Sequence, residues 1–313
     1  MFGFHPFGVM PPRSVASRAR RLLVATGLGP ASEEAIRAAV DWADLSGGEV
    51  SACHVGAHLE RGVSLLPDAE VSAPGTGPLA ERRSAVRRQL RSVLGRRGAD
   101  VPIYVAGGEP GPGIAAAAEA LRPDLLVVGA PRGSGPTRLA FDSVAENLVK
   151  RTRCAVLAVR PATGTGGILV APDLSDDPPG ALRAAAGVAR TTGGRVTIVH
   201  ALSPMGEWGA RVAAGGAPMP SPGWLGDVDG ELGPSSPSEL LRGLGVDCEA
   251  RIYREDPVAA LLESVEVLRP ELCVVAMDAG GRFTHRDLGD AARILMRACD
   301  CSVLVVRPAR ATA

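Results

Sequence analysis

The sequence has almost no lysine. Lys150 is the only one, so nearly all of its positive charge is arginine, a bias of composition from which no function is read. Imbalance of charge is missing too, since 34 Lys+Arg face 34 Asp+Glu. That excludes the global basic field of a nucleic-acid binder and leaves no acidic tail. Apolar runs of about 18 residues are lacking, so no membrane-spanning helix is expected. There is no G-x-S-x-G elbow, no H-E-x-x-H pair and no GKS or GKT phosphate loop, and no catalytic residue is assigned. The six cysteines (Cys53, Cys154, Cys248, Cys273, Cys299, Cys301) are scattered, several of them inside apolar runs, which reads as buried reduced thiols. Cys299 and Cys301 form a CxC without a second Cys/His pair nearby in sequence to complete a tetrahedral zinc site, so no metal site is assigned.

What is present is ample apolar material, 46% of 313 residues, enough for about two domains. The first residues, MFGFHPFGVMPPRSVASRARR, place their apolar part before their arginines, the reverse of a secretory signal. A soluble, cytoplasmic protein with an unstructured tail over 1–20 is the expectation.

The chain is written twice. RLLVAT (21–26) recurs as GILVAP (167–172), and GGEVSACHV (47–55) as GGRVTIVHA (193–201). RPDLLVVGA (122–130) recurs as RPELCVVAM (269–277), and CAVLAVRP (154–161) as CSVLVVRP (301–308). Four matches in one order, offset by 146 or 147 residues, indicate a tandem duplication. Domains are expected over 21–161 and 166–309. Each copy alternates apolar strands with helical stretches, which predicts an α/β fold with a parallel sheet covered on both faces. In PASEEAIRAAVDWADLSG, Ser32 is the expected N-cap, Glu33 and Glu34 fall in the first turn, and Gly47 ends the helix. Two connections stand apart, 56–78 and the Gly/Pro/Ser-rich 203–237, which carries Trp208 and Trp224. The second reads as a linker, a flap over a site, or a partner-binding segment.

These residues resemble the universal stress proteins in their two-domain form, over about 20–309. The resemblance rests on ILVAPDLSDD, the GG-V-HV strand, RPDLLVVGAPRG, DSVAENLVKRTRCAVLAVRP and their counterparts in the other copy. It implies two tandem five-stranded, Rossmann-like parallel sheets. Their last strands, CAVLAVRP and CSVLVVRP, would pair across an internal pseudo-two-fold. A stress-response role is also a family expectation.

Some members bind ATP through a G-x2-G-x9-G-[S/T] loop and an aspartate after the first strand; others lack the loop. In the first copy Gly129 holds the first glycine position, but Arg132 and Asp142 replace the next two, Ser143 follows, and Gly27 stands where the aspartate would be. Gly133 and Gly135 could make a shifted loop. In the second copy Ala276 and Ala279 replace two glycines and Asp290 the serine, while Gly289 and Asp173 are retained. A carboxylate at Asp142 or Asp290 would repel a phosphate about 4 Å away by roughly 1–4 kcal/mol. Ser143 and Glu146 also form a capping box that satisfies the same N–H groups internally. Against closure, Arg132, Arg138, Arg282 and Arg286 could hold phosphates, and an aspartate could reach them through Mg²⁺.

Candidate nucleotide positions are therefore Gly129, Arg132, Gly133, Ser143, Asp173 and Gly289. The expectation is a non-catalytic, partner-binding regulatory protein with degenerate loops and weak or no ATP binding. The alternative is a sensor holding ATP or AMP, with Mg²⁺, in one copy; slow ATP hydrolysis would need a metal and an acid that no residue identifies. A protein partner, an internal pseudo-dimer and a homodimer of such chains are open, with nucleic acid and membrane excluded. His54 and His200 end equivalent strands and are expected to be packed or solvent-facing; His285 has no ligand-spaced mate.

Overall fold

The computed structural model describes residues 20–56, 63–64, 77–131, 141, 144, 147–148, 150–161, 166–171, 180–201, 241–243, 245–253, 256–276, 292 and 294–306. The first copy supplies β1 (Arg21–Ala25), β2 (Glu49–Gly56), β3 (Val63–Ser64), β4 (Ile103–Gly107), β5 (Leu125–Gly129) and β6 (Ala155–Val159). Its helices are α1 (Pro30–Ser46), α2 (Pro78–Leu94) and α3 (Pro110–Leu121). The second copy supplies β7 (Ile168–Ala171), β8 (Val196–Ala201), β9 (Cys248–Tyr253), β10 (Leu272–Ala276) and β11 (Ser302–Val306), with α4 (Gly180–Thr192) and α5 (Pro257–Leu268).

These strands form one eleven-stranded sheet, ordered β3-β4-β2-β1-β5-β6-β11-β10-β7-β8-β9. The five expected strands of each copy are present, parallel within the copy, in mirror-image order about the junction. There β6 and β11 run antiparallel, with Leu157 opposite Leu304. Those two leucines occupy the same place in CAVLAVRP and CSVLVVRP. A pair of equivalent residues facing each other is what a two-fold axis between them requires, so the register itself locates the pseudo-two-fold. The connection after β2 adds a feature not expected from sequence, since Val63–Ser64 pairs antiparallel with β4 at the sheet edge.

Strands buried on both faces need near-continuous apolar runs, and each of β1, β5, β7, β10 and β11 is one. Alternate residues feed two cores. Leu22 and Val24 face α1 and α2, whereas Leu23 and Ala25 face α3. Both cores continue across the junction, because Leu157 and Leu304 lie in one and Val156, Ala158, Val303 and Val305 in the other.

Helix α1 follows from spacing, as Ala35, Ile36, Ala39, Trp42 and Ala43 recur three or four residues apart and are all buried. Its start differs from expectation. Gly29, not Ser32, is the N-cap, and it makes no side-chain cap bond. Pro30 is the reason: its fixed φ and missing N–H suit the first helical position, so the helix begins there and Ser32 falls inside the first turn. The hydroxyl of Ser32 instead accepts the N–H of Gly27 at 2.9 Å. Gly47, with φ 65°, closes the helix as expected, and Gly193 repeats the left-handed turn after α4 at φ 70°. The duplication even repeats a less favourable choice, for Arg122 and Arg269 end α3 and α5 at φ 47° and 45°.

Candidate functional site

Strand order reverses between β1 and β5 in the first copy and between β7 and β10 in the second. Open α/β sheets bind ligands just beyond such points, at the strands' carboxyl ends. In the first copy that place is formed by Thr26–Gly29 after β1, His54 near the end of β2, and Gly129–Pro131 at the end of β5.

Internal hydrogen bonds occupy it. Thr26 extends the ladder by donating its N–H to the carbonyl of Cys53 at 2.9 Å. Its hydroxyl donates to Gln89 Oε1 of α2 at 2.5 Å and accepts the N–H of Leu28 at 3.0 Å. Gln89 Nε2 reaches the carbonyl of Gly29 at 3.4 Å, and the Ser32 N–H donates to the same carbonyl at 3.0 Å. With Gly27 held by Ser32, both N–H groups that follow Thr26 are already satisfied by side chains. Those two N–H groups are thus not free to hold an anion, and Gly27 offers no carboxylate.

Gly129 is described, and its environment gives a packing reason for glycine. A Cβ there would lie 2.0 Å from the carbonyl oxygen of Ala31 and 2.3 Å from its carbon. The end of β5 thus touches the backbone of α1's first turn, an approach only glycine permits. Arg132, Gly133, Ser143, Asp173 and Gly289 lie outside the described residues, as do Gly135, Asp142, Glu146, Asp290, His285, both connection tryptophans and the 203–237 segment. Among the described residues no group of His, Cys, Asp and Glu is placed to hold a metal, and no helix is long and apolar enough to cross a membrane.

His54 is packed rather than solvent-facing, 6% exposed, with Nδ1 2.8 Å from the carbonyl of Thr26. A carbonyl only accepts, so Nδ1 carries the hydrogen and Nε2, which has no partner, is the bare nitrogen of a neutral ring. Burial holds its pKa below the ordinary 6.5, against the opposing pull of the Thr26 carbonyl. The unfolded chain therefore takes up the proton first as pH falls. Stability is full above about pH 6.5 and declines below it toward the lowered folded value. Urea unfolding between pH 8 and pH 5 should show His54→Gln, which keeps a donor for Thr26, losing less stability than the parent over that fall. Equal losses in the two proteins would contradict the neutral, buried assignment.

Sequence reasoning missed Thr26, Ser32 and Gln89 as a network, and it missed Arg160. That guanidinium, 1% exposed, donates to the carbonyls of Cys301 and Met296 in the other copy and sits 5.6 Å from the ring centroid of Phe141. The Arg160 N–H donates to Ser302 Oγ at 3.1 Å.

The model of the universal stress protein family matches twice, over residues 18–160 and 166–307. Among solved structures, a universal stress protein from Archaeoglobus fulgidus DSM 4304 is 17% identical, with 95% of this chain and 99% of that chain covered and a TM-score of 0.62. A functionally unknown protein from Pseudomonas aeruginosa PAO1 is 14% identical, covering 94% and 95%, with a TM-score of 0.57. A shorter universal stress protein, from Archaeoglobus fulgidus and in complex with dAMP, is 19% identical over 45% of this chain and 96% of its own, with a TM-score of 0.30. No functionally curated protein matches significantly. Two consecutive matches that together cover nearly the whole sequence leave one reading of its ancestry: the chain belongs to the universal stress protein family.

Proposed function

We propose that this tandem universal stress protein is a non-catalytic regulatory protein that works by binding a protein partner, with nucleotide loops too altered for tight ATP binding. One observation carries the reading. At the first copy's switch point the N–H groups of Gly27 and Leu28 are bonded internally, and Gly129 lies against the backbone of α1. A phosphate held by the Gly27 and Leu28 N–H groups would have to displace the hydroxyls of Ser32 and Thr26 first.

A second reading keeps a nucleotide in the other copy. It is favoured by the retained Asp173 and Gly289 after β7 and β10, where a sensor for ATP or AMP with Mg²⁺ would sit. The test separates the two. The protein is purified without added nucleotide, denatured and searched for released small molecules, then titrated calorimetrically with ATP and AMP, with and without Mg²⁺. No release and no heat are expected. Near-stoichiometric adenine nucleotide, with affinity reduced in Asp173→Ala, would replace the first reading by the second.

A further inference from the structure

Charge is balanced over the chain but not evenly spread. Residues 78–100 hold seven arginines and two acids, Glu81 and Asp100, in a chain with 34 residues of each sign. The duplicated fold does not require this. Pairing of β2 with β4 and of β8 with β9 makes Ile103 and Ala250 equivalent, and the matching stretch of the second copy, 225–247, has one arginine, Arg242, and five acids.

Helix α2 buries its apolar side, Val86 and Leu90, completely. Arg88 and Arg91, three residues apart, stand on the opposite, exposed side with Ser84 and Ser92. The 3₁₀ turn Gly95–Ala99 then folds back on the helix. A Cβ on Gly98 would lie 2.3 Å from the carbonyl oxygen of Leu90, and the half-buried Arg87 donates to the carbonyls of Gly98, Ala99 and Val101 at 2.7–2.9 Å. That fixes the exposed Arg96 and Arg97 beside the same helix. Arg97 is engaged internally, since its two terminal nitrogens clasp both carboxylate oxygens of Asp44 at 2.9 and 2.5 Å. Arg88, Arg91 and Arg96 make no hydrogen bond or ion pair among the described residues.

Like charges three or four residues apart on a helix repel each other, so folding gains nothing from this row. We propose that Arg88, Arg91 and Arg96 form a docking surface for a segment of a protein partner rich in aspartate and glutamate. The assignment rests on the partner-binding reading above and gives that partner's chemistry. Arg97 with Asp44 shows what each member of the row offers, a planar fork that takes a carboxylate through two parallel bonds. Other polyanions fit less well. A single-stranded nucleic acid calls for aromatic rings on which bases stack, and residues 78–100 contain none. A membrane surface calls for an apolar face to insert, and α2 packs its own against the sheet, leaving Leu79 of its first turn as its one exposed large apolar side chain.

The test measures fluorescence anisotropy of a labelled deca-glutamate peptide against the full-length protein at low and at physiological salt. Saturable binding that weakens as salt rises is expected, because screening shortens to about 8 Å at physiological ionic strength. Arg88→Gln, Arg91→Gln and Arg96→Gln combined should weaken it about tenfold. That variant should melt at or above the parent's temperature, since mutual repulsion is removed. Arg190→Gln, Arg242→Gln and Arg269→Gln combined remove the same charge from exposed positions of the second copy and should bind as the parent does. Equal weakening in the two variants, no binding to the parent, or tighter binding of a single-stranded oligonucleotide or of phosphatidylserine vesicles would overturn the proposal. Failure of the peptide would leave the partner-binding reading standing with another surface; that reading falls instead to the nucleotide titration above.

Discussion

Replacing Arg160 with alanine is expected to lower the unfolding free energy by about 3 kcal/mol, the largest loss of any single arginine among the described residues. The side chain is fully buried and donates to the carbonyls of Cys301 and Met296, which belong to the other copy. A charged donor to a carbonyl contributes roughly 1.5–3 kcal/mol, and removing it strands a buried acceptor. Loss of packing on Phe141 adds to this. Relief from burying a guanidinium works the other way, which keeps the sum well under the total of its parts. Arg160→Lys retains the charge but replaces the planar fork with a compact head, so an intermediate loss is expected. Arg97 provides the contrast. Its side chain is 64% exposed in an ion pair with Asp44, and Arg97→Ala should cost under about 1 kcal/mol. Equilibrium urea unfolding of the three variants measures the ranking, and an Arg160→Ala midpoint equal to that of Arg97→Ala would remove Arg160 as the tie between copies.

Gly129→Ala is expected to cost about 3 kcal/mol as well, for a different reason. The new methyl would stand 2.0 Å from Ala31 O and 2.8 Å from Ser32 N, backbone atoms that no rotamer change can move away. Either the end of β5 or the first turn of α1 must shift, and that turn is held by the Gly29 carbonyl, which accepts from Ser32 and Gln89. Gly27→Ala is the internal control. There the nearest atom is Ser32 Oγ at 3.8 Å, an ordinary contact, so the variant should unfold within about 0.5 kcal/mol of the parent. Calorimetric melting of both distinguishes the explanations for Gly129. If the alanine melts with the parent, close approach to α1 does not explain the glycine, and a role in ligand binding regains weight.

These residues also show what could be read from the chain and what could not. The repeated apolar runs identify the parallel strands, because a strand buried on both faces has no choice but to be apolar along its length. Gly47 announces a helix end because few other residues take a left-handed conformation without strain. Ser32 misled, since a capping signal is local and Pro30, two residues earlier, had already fixed where the helix begins. Gly129 was legible as a glycine but not as a contact. Its partner is backbone about a hundred residues earlier, and backbone contacts leave no mark on the partner's side chains.

The sequence by itself determined the duplication and the class of fold, properties set by periodicity and repetition along the chain, while the strands at the junction were implied by the family resemblance. Only tertiary structure decided the rest. It brought Gln89 to Thr26, Arg160 to Cys301, and Cys273 beside Val303 of β11, because the sheet's parallel crossovers and its antiparallel junction join residues far apart in sequence. Polar groups excluded from water then had to find partners among whatever the fold placed beside them. In the turn after β1 they found one another, as Thr26, Ser32 and Gln89 bond to one another's segments and to the Gly27 and Leu28 N–H groups.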